Sequence, residues 1–123
     1  MSKRILVIDD EMDIRDVVCL ALEEFGGWQA KGAACGVEGL SEAQAHPWDA
    51  ILLDVSMPDL DGVTVFERLQ ANPSTRSIPL IFLTARVIQG DRDRLMALGA
   101  AGVIAKPFDP VLVWQEVANI LHW

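Results

Sequence analysis

Four short apolar runs constrain this chain more than anything else in it: Ile5-Leu6-Val7-Ile8, Ala50-Ile51-Leu52-Leu53, Leu80-Ile81-Phe82-Leu83 and Gly102-Val103-Ile104-Ala105. No polar residue alternates within them, so each predicts a strand buried on both faces. A weaker segment from Trp28 to Ala34 predicts a strand at a sheet edge. Segments of helical period lie between them. The first runs from Met12 to Phe25, with Ile14, Val17, Val18, Ala21, Leu22 and Phe25 as its apolar stripe, and Gly26-Gly27 stops it. The second covers Gly36 to Ala45 with Val37, Leu40 and Ala43 inward. The third covers Val63 to Leu69 with Val65, Phe66 and Leu69 inward, and a charged fourth covers Gly90 to Leu98. The last starts at Asp109-Pro110, aspartate as N-cap and proline at the first helical position, with Val113, Val117, Ile120 and Leu121 as its stripe. Strands alternating with helices imply an α/β fold: a parallel sheet covered on both faces.

A length of 123 residues with 51% hydrophobic and 23% charged residues suits one globular domain. The net charge of −8 argues against nucleic acid as a direct partner. The apolar run after Lys3-Arg4 is too short for a signal-peptide core, and no stretch is long enough to span a bilayer. Cys19 and Cys35 form no metal or redox motif, so a reducing cytoplasm is the simplest compartment. His46 has no partner at ligand spacing and reads as a loop histidine ahead of Pro47.

In an open parallel sheet, functional residues gather at the carboxyl ends of the strands. Those ends carry Asp9-Asp10, Asp54, Thr84 and Lys106. Each has an ordinary structural reading. Asp9 and Asp10 could cap the next helix, and Asp54 could bond the backbone of the loop that Met57-Pro58 and Asp61-Gly62 punctuate. Taken together they are harder to explain, because three carboxylates at one edge repel one another. A hard divalent cation resolves that repulsion, and Mg²⁺ takes a few carboxylates plus waters. Lys106 and Thr84 would then meet the oxygens of a phosphoryl group, leaving Asp54 as the nucleophile that receives it.

Val7-Ile8-Asp9-Asp10-Glu11, Leu53-Asp54-Val55-Ser56-Met57-Pro58 with Asp61-Gly62, Thr84-Ala85, and Lys106-Pro107-Phe108 occur in this order, each at a predicted strand end. On these motifs the chain resembles, over essentially its whole length, the receiver domain of two-component response regulators, in particular the single-domain chemotaxis type. The resemblance implies a flavodoxin-like (βα)5 sandwich with strand order 2-1-3-4-5. It implies that Asp54 accepts a phosphoryl group from a sensor histidine kinase or a histidine phosphotransfer protein. It further implies that Asp10, Asp54 and the Ser56 backbone carbonyl hold Mg²⁺, with Asp9 in support through water. Lys106 would bridge to the acyl phosphate, Thr84-Ala85 would move to bond it, and the Lys106-Pro107 bond would be cis. Nothing follows Trp123, so residues 1–123 are expected to be a receiver without an output domain, stand-alone or excised, acting as a signalling switch on an unknown downstream protein.

The sequence departs from the family at three positions. Val103 stands where the family usually has an aromatic residue that turns inward on activation. Valine is too short and too stiff at χ1 for that motion, so Thr84 and the loop from Ala85 to Gly90 are expected to carry it. Ser56 and Arg86 occupy the two positions that border the path of the attacking water. Two other readings of an aspartate-rich α/β chain fit less well. A haloacid-dehalogenase-type phosphatase would place its nucleophile after the first strand, with a second aspartate two residues later. A flavodoxin-like FMN carrier would need a Ser/Thr/Gly-rich phosphate loop where Asp9-Asp10-Glu11 stands.

Overall fold

The computed structural model describes residues 3–85 and 89–123. Strands and helices alternate as β1 (Arg4–Ile8), α1 (Met12–Gly26), β2 (Gln29–Ala33), α2 (Gly36–Ala45), β3 (Ala50–Asp54), α3 (Gly62–Ala71), β4 (Leu80–Thr84), α4 (Gln89–Ala97), β5 (Gly102–Ala105) and α5 (Val113–Leu121). All strand pairs are parallel, in the order β2-β1-β3-β4-β5. The expected strand order is therefore observed, with the weak second strand at an edge.

Strand alternation divides the core into two layers. Leu6, Ile8, Ile51, Leu53 and Phe82 share one cluster with Val65, Phe66 and Leu69 of α3 and Leu95 of α4. Ile5, Val7, Leu52, Ile81 and Leu83 share the other with Val18 and Leu22 of α1 and Val113 and Val117 of α5. Every residue of β3 and β4 is buried, which is why their sequences show no alternation. No helix among the described residues is long and apolar enough to cross a membrane.

Three details of the helices differ from the sequence-based expectation. Val17 and Phe25 are 43% and 50% exposed, because α1 turns only Val18, Ala21 and Leu22 fully onto the sheet. Val37 is 63% exposed, because α2 approaches β1 through Gly39, where any Cβ would press on the Ile8 side chain. A stripe built partly of glycine carries no hydropathy signal. The last helix begins at Val113 rather than at Asp109-Pro110. Asp109 instead organises a turn ahead of it: its Oδ1 accepts from the Val111 N–H at 2.9 Å, and its carbonyl accepts from Leu112 and Val113, both at 3.0 Å.

The edge opposite the carboxyl ends is closed by aromatics. Trp28 meets Trp114 edge-on at 6.3 Å and Trp123 at 5.2 Å between ring centroids, and the Lys3 ammonium lies over Trp123. Cys19 and Cys35 are free thiols, and burial, with the charges of Glu23 and Asp16, pushes Cys19 up to about 11, so it is inert at neutral pH.

Candidate functional site

The carboxyl ends of β1, β3, β4 and β5 meet at one edge of the sheet. Ile8 lies opposite Leu53, so the residues that follow, Asp9 and Asp54, come side by side. Asp9 continues the alternation of Ile5 and Val7, and Asp54 that of Ala50 and Leu52. Asp9 is fully buried, Asp54 is 5% exposed, and Asp10 lies outermost. Carboxylate oxygens of the three lie within 4.8 Å of one another. Such crowding is unfavourable in a weakly solvated site unless cations offset it.

Lys106, one residue past β5, supplies one such charge. Its Nζ donates to Asp9 Oδ2 at 2.7 Å and lies 3.3 Å from Asp54 Oδ1 and 3.8 Å from Glu11 Oε1. Burial alone would lower the Lys106 pKa, but its bond to Asp9 and the charges of Asp54 and Asp9 outweigh it, and the net shift is upward. Asp54 goes the other way for a carboxylate. Burial first, then the Asp9 charge, raises it from 3.8 to about 6, although Lys106 and the Ser56 backbone N–H favour its ionised form. At neutral pH Asp54 is thus mostly ionised, poorly solvated and held by one ammonium, the state required of a carboxylate nucleophile.

The remaining expected residues fall around this group. Thr84 ends β4 and is buried, and its carbonyl accepts from the Lys106 N–H at 2.8 Å. Ala85 follows at the surface. Ser56 lies in the exposed loop after β3 and returns its N–H to the Asp54 carboxylate. The loop-bonding role open to Asp54 from sequence is therefore real, and it coexists with the carboxylate cluster. The Lys106-Pro107 peptide is cis. Val103 is not part of the group: it is 7% exposed and packs in the core layer of Phe66 and Phe82. Arg86 and the centre of the loop after Ala85 lie outside the described residues.

Three supporting residues were given no site role from sequence, although Asp61 belongs to the Asp61-Gly62 motif. Asp59 reaches across to the start of α2, where the N–H groups of Gly36 and Val37 donate to its carboxylate at 3.3 Å. Asp61 caps α3, accepting from the Thr64 N–H at 2.8 Å. Together they pin the later half of the loop that carries Ser56. Arg15 of α1 donates from Nη1 to the Asp9 carbonyl at 2.9 Å. An open groove lined by Ser56, Pro58, Asp61 and Arg94 lies between the loop after β3 and α4.

The family profile described as the response regulator receiver domain matches residues 5–118, a span that contains every residue of this group. The chain belongs to the response regulator receiver domain family. This receiver domain is 41% identical over 125 residues to the phosphate regulon transcriptional regulatory protein PhoB of Escherichia coli, covering 99% of this chain and 53% of that protein. It is 37% identical to the response regulator PleD of Caulobacter vibrioides, covering 100% of this chain and 27% of that protein. The receiver domain thus spans between about a quarter and about half the length of these curated relatives. Among solved structures it is similar to the chemotaxis response regulator CheY4 of Vibrio cholerae, with a TM-score of 0.90 at 28% identity over 98% of this chain and 99% of that one. It is also similar to the receiver domain of the sensor histidine kinase PA1611 of Pseudomonas aeruginosa, with a TM-score of 0.86 at 28% identity over 100% of this chain and 100% of that one. That structure is described as having a magnesium ion coordinated in its active-site cleft.

The donor set here fits the same ion. Asp9, Asp10 and Asp54 offer hard oxygen ligands within one ion's reach of each other, and among the described residues no cysteine or histidine joins them.

Proposed function

We propose that this receiver domain takes a phosphoryl group onto Asp54 from a phosphohistidine, with Mg²⁺ held by Asp10, Asp54 and the Ser56 carbonyl and supported by Asp9. The observation that carries this reading is the buried Asp54 carboxylate, crowded by Asp9 and Asp10 and lying 3.3 Å from the Lys106 ammonium. An Asp54 oxygen attacks phosphorus in line, the P–N bond breaks, and its electron pair leaves with the imidazole. The product is an acyl phosphate. Later attack of water on phosphorus breaks the P–O bond to Asp54 and releases inorganic phosphate. Bound Mg²⁺ supplies positive charge to the transferring oxygens.

Lys106 changes partners during this cycle. It bonds Asp9 and Asp54 in the unphosphorylated protein, and the new phosphoryl oxygens offer it a stronger acceptor. Because the Lys106 N–H is bonded to the Thr84 carbonyl, β5 and the end of β4 feel that exchange together. The domain is a switch and turns over no other substrate. Its histidine-bearing partner would rest on the exposed apolar side of α1, formed by Val17, Leu20 and Phe25, which continues onto Pro110 in the segment after Lys106. The free thiols suit a reducing cytoplasm.

Acetyl phosphate with Mg²⁺ is expected to add one phosphoryl mass to the wild type and none to Asp54→Asn, whose circular dichroism stays unchanged. A full mass increase in Asp54→Asn would overturn the assignment. Mg²⁺ is expected to raise the melting temperature of the wild type by mass action and that of Asp10→Asn much less. Equal rises in both would place the ion elsewhere.

A further inference from the structure

We propose that Arg15 is a positioning residue for the Mg²⁺ site and that Gly32 is a glycine so that Arg15 can reach it. The inference rests on the carboxylate cluster being that site. Asp9 sits where the ladder between β1 and β2 ends: its N–H donates to the Ala33 carbonyl at 3.2 Å, and β2 stops there. From that point the chain must turn so that Asp9 and Asp10 both face the cluster. Two bonds hold the turn. Asp9 Oδ1 accepts from the Glu11 N–H at 2.9 Å, and the Asp9 carbonyl accepts from Arg15 Nη1 at 2.9 Å. The first fixes the Asp9 carboxylate. The second fixes the peptide plane between Asp9 and Asp10, and with it the direction in which Asp10 leaves the backbone.

Arg15 comes from the first turn of α1, where its own N–H donates to the Glu11 carbonyl at 2.9 Å. To reach Asp9 its side chain crosses β2 over Gly32. A Cβ on Gly32 would lie 2.7 Å from both Cγ and Cδ of Arg15 and 3.2 Å from its Nε, and these are its three nearest neighbours. Those three atoms belong to a flexible side chain and none of them is backbone. The backbone of Gly32 is ordinary strand, so the glycine is required for space and not for conformation. Groups that hold a metal ligand in place without touching the metal commonly change affinity by about tenfold or more when removed.

Arg15 also carries positive charge, which opposes a cation. The two substitutions separate charge from geometry: Arg15→Met removes both the charge and the bond, whereas Gly32→Ala keeps the charge and moves the guanidinium. The experiment is a Mg²⁺ titration followed by the amide shifts of residues 8–11 and 54–56, with thermal melts in EDTA alongside. Both variants are expected to bind Mg²⁺ about tenfold more weakly than the wild type. The double variant should be no weaker than Arg15→Met alone, since the bond that the second change would break is already gone. Gly32→Ala should melt in EDTA at or above the wild-type temperature, because alanine suits a strand better than glycine. Tighter binding in Arg15→Met would make Arg15 a mere opposing charge. Unchanged affinity in both would make the bond purely structural, and additive losses would make Gly32 independent of Arg15. Any of these overturns the inference while leaving the site intact. Failure of the wild type to bind Mg²⁺ overturns the site itself.

Discussion

Gly62→Ala is expected to destabilise the domain by about 3 kcal/mol or more and to suppress phosphorylation of Asp54 in whatever fraction stays folded. Gly62 is the first residue of α3, and its N–H donates to the Val55 carbonyl at 2.8 Å. That bond draws the helix against the end of β3. A Cβ at position 62 would overlap the Asp54 carbonyl oxygen and lie 2.9 Å from the Val55 Cα and 3.1 Å from the Asp54 carbonyl carbon. All three neighbours are backbone atoms at the end of β3, in Asp54 and Val55, so none can swing aside as a side chain can. Either α3 moves away, opening the core around Val65, Phe66 and Leu69, or the end of β3 shifts and misplaces Asp54. Gly90→Ala is the matched control, because a Cβ there meets nothing within 4 Å among the described residues and alanine is the better helix former. Urea denaturation of the two variants should differ widely in midpoint. A Gly62→Ala midpoint equal to that of Gly90→Ala would show that the helix and strand adjust at little cost.

In EDTA at pH 8, Asp54→Asn is expected to be more stable than the wild type by on the order of 2 kcal/mol. The sign follows from the direction of the Asp54 shift. Burial and the Asp9 charge raise its folded-state pKa from 3.8 to about 6. The folded protein therefore holds this proton more tightly than the unfolded chain does. The stabilisation is fully present below about 3.8, falls as pH rises, and is lost above about 6. Asparagine imitates the protonated carboxyl at every pH, so the advantage of Asp54→Asn should grow across that window and vanish near pH 4. Loss of the 3.3 Å contact with Lys106 trims the gain. Saturating Mg²⁺ should narrow the difference, since it favours the wild type. The measurement is a pair of denaturation curves at several pH values in EDTA. A variant less stable than the wild type at pH 8 would show that the Lys106 contact outweighs the cost of burying the charge.

Much of this was legible in the residues. The doubly buried strands were visible as unbroken apolar runs, and the acids, threonine and lysine that follow them were visible as interruptions at the place where a parallel sheet keeps its chemistry. Val65, Phe66 and Leu69 were visible on α3 because hydropathy and helical period coincide there. The misread helix stripes share one cause, which is that hydropathy records composition and not distance. Val17, Phe25 and Val37 fit a helical stripe yet are exposed, since the inner side of α2 is partly glycine and α1 covers only part of the sheet face. Asp109-Pro110 has the chemistry of a helix start, but Asp109 spends its oxygens on a turn before Val113.

The order of apolar runs and punctuating residues determined by itself that this chain folds as a parallel α/β sandwich with Asp9, Asp10, Asp54, Thr84 and Lys106 at one edge. That information is local, because burial on both faces removes polar alternation and each strand end is marked by the residue that follows it. Only the tertiary structure decided which of those groups touch: Lys106 between Asp9 and Asp54, Ser56 returning its N–H to Asp54, Arg15 reaching Asp9 across Gly32, and Gly62 pressed on the backbone of β3. These contacts join residues from separate elements, and their lengths depend on how closely neighbouring backbones pack. A glycine whose purpose is to let another residue approach has no side chain of its own, so its role becomes visible only when that neighbour is in place.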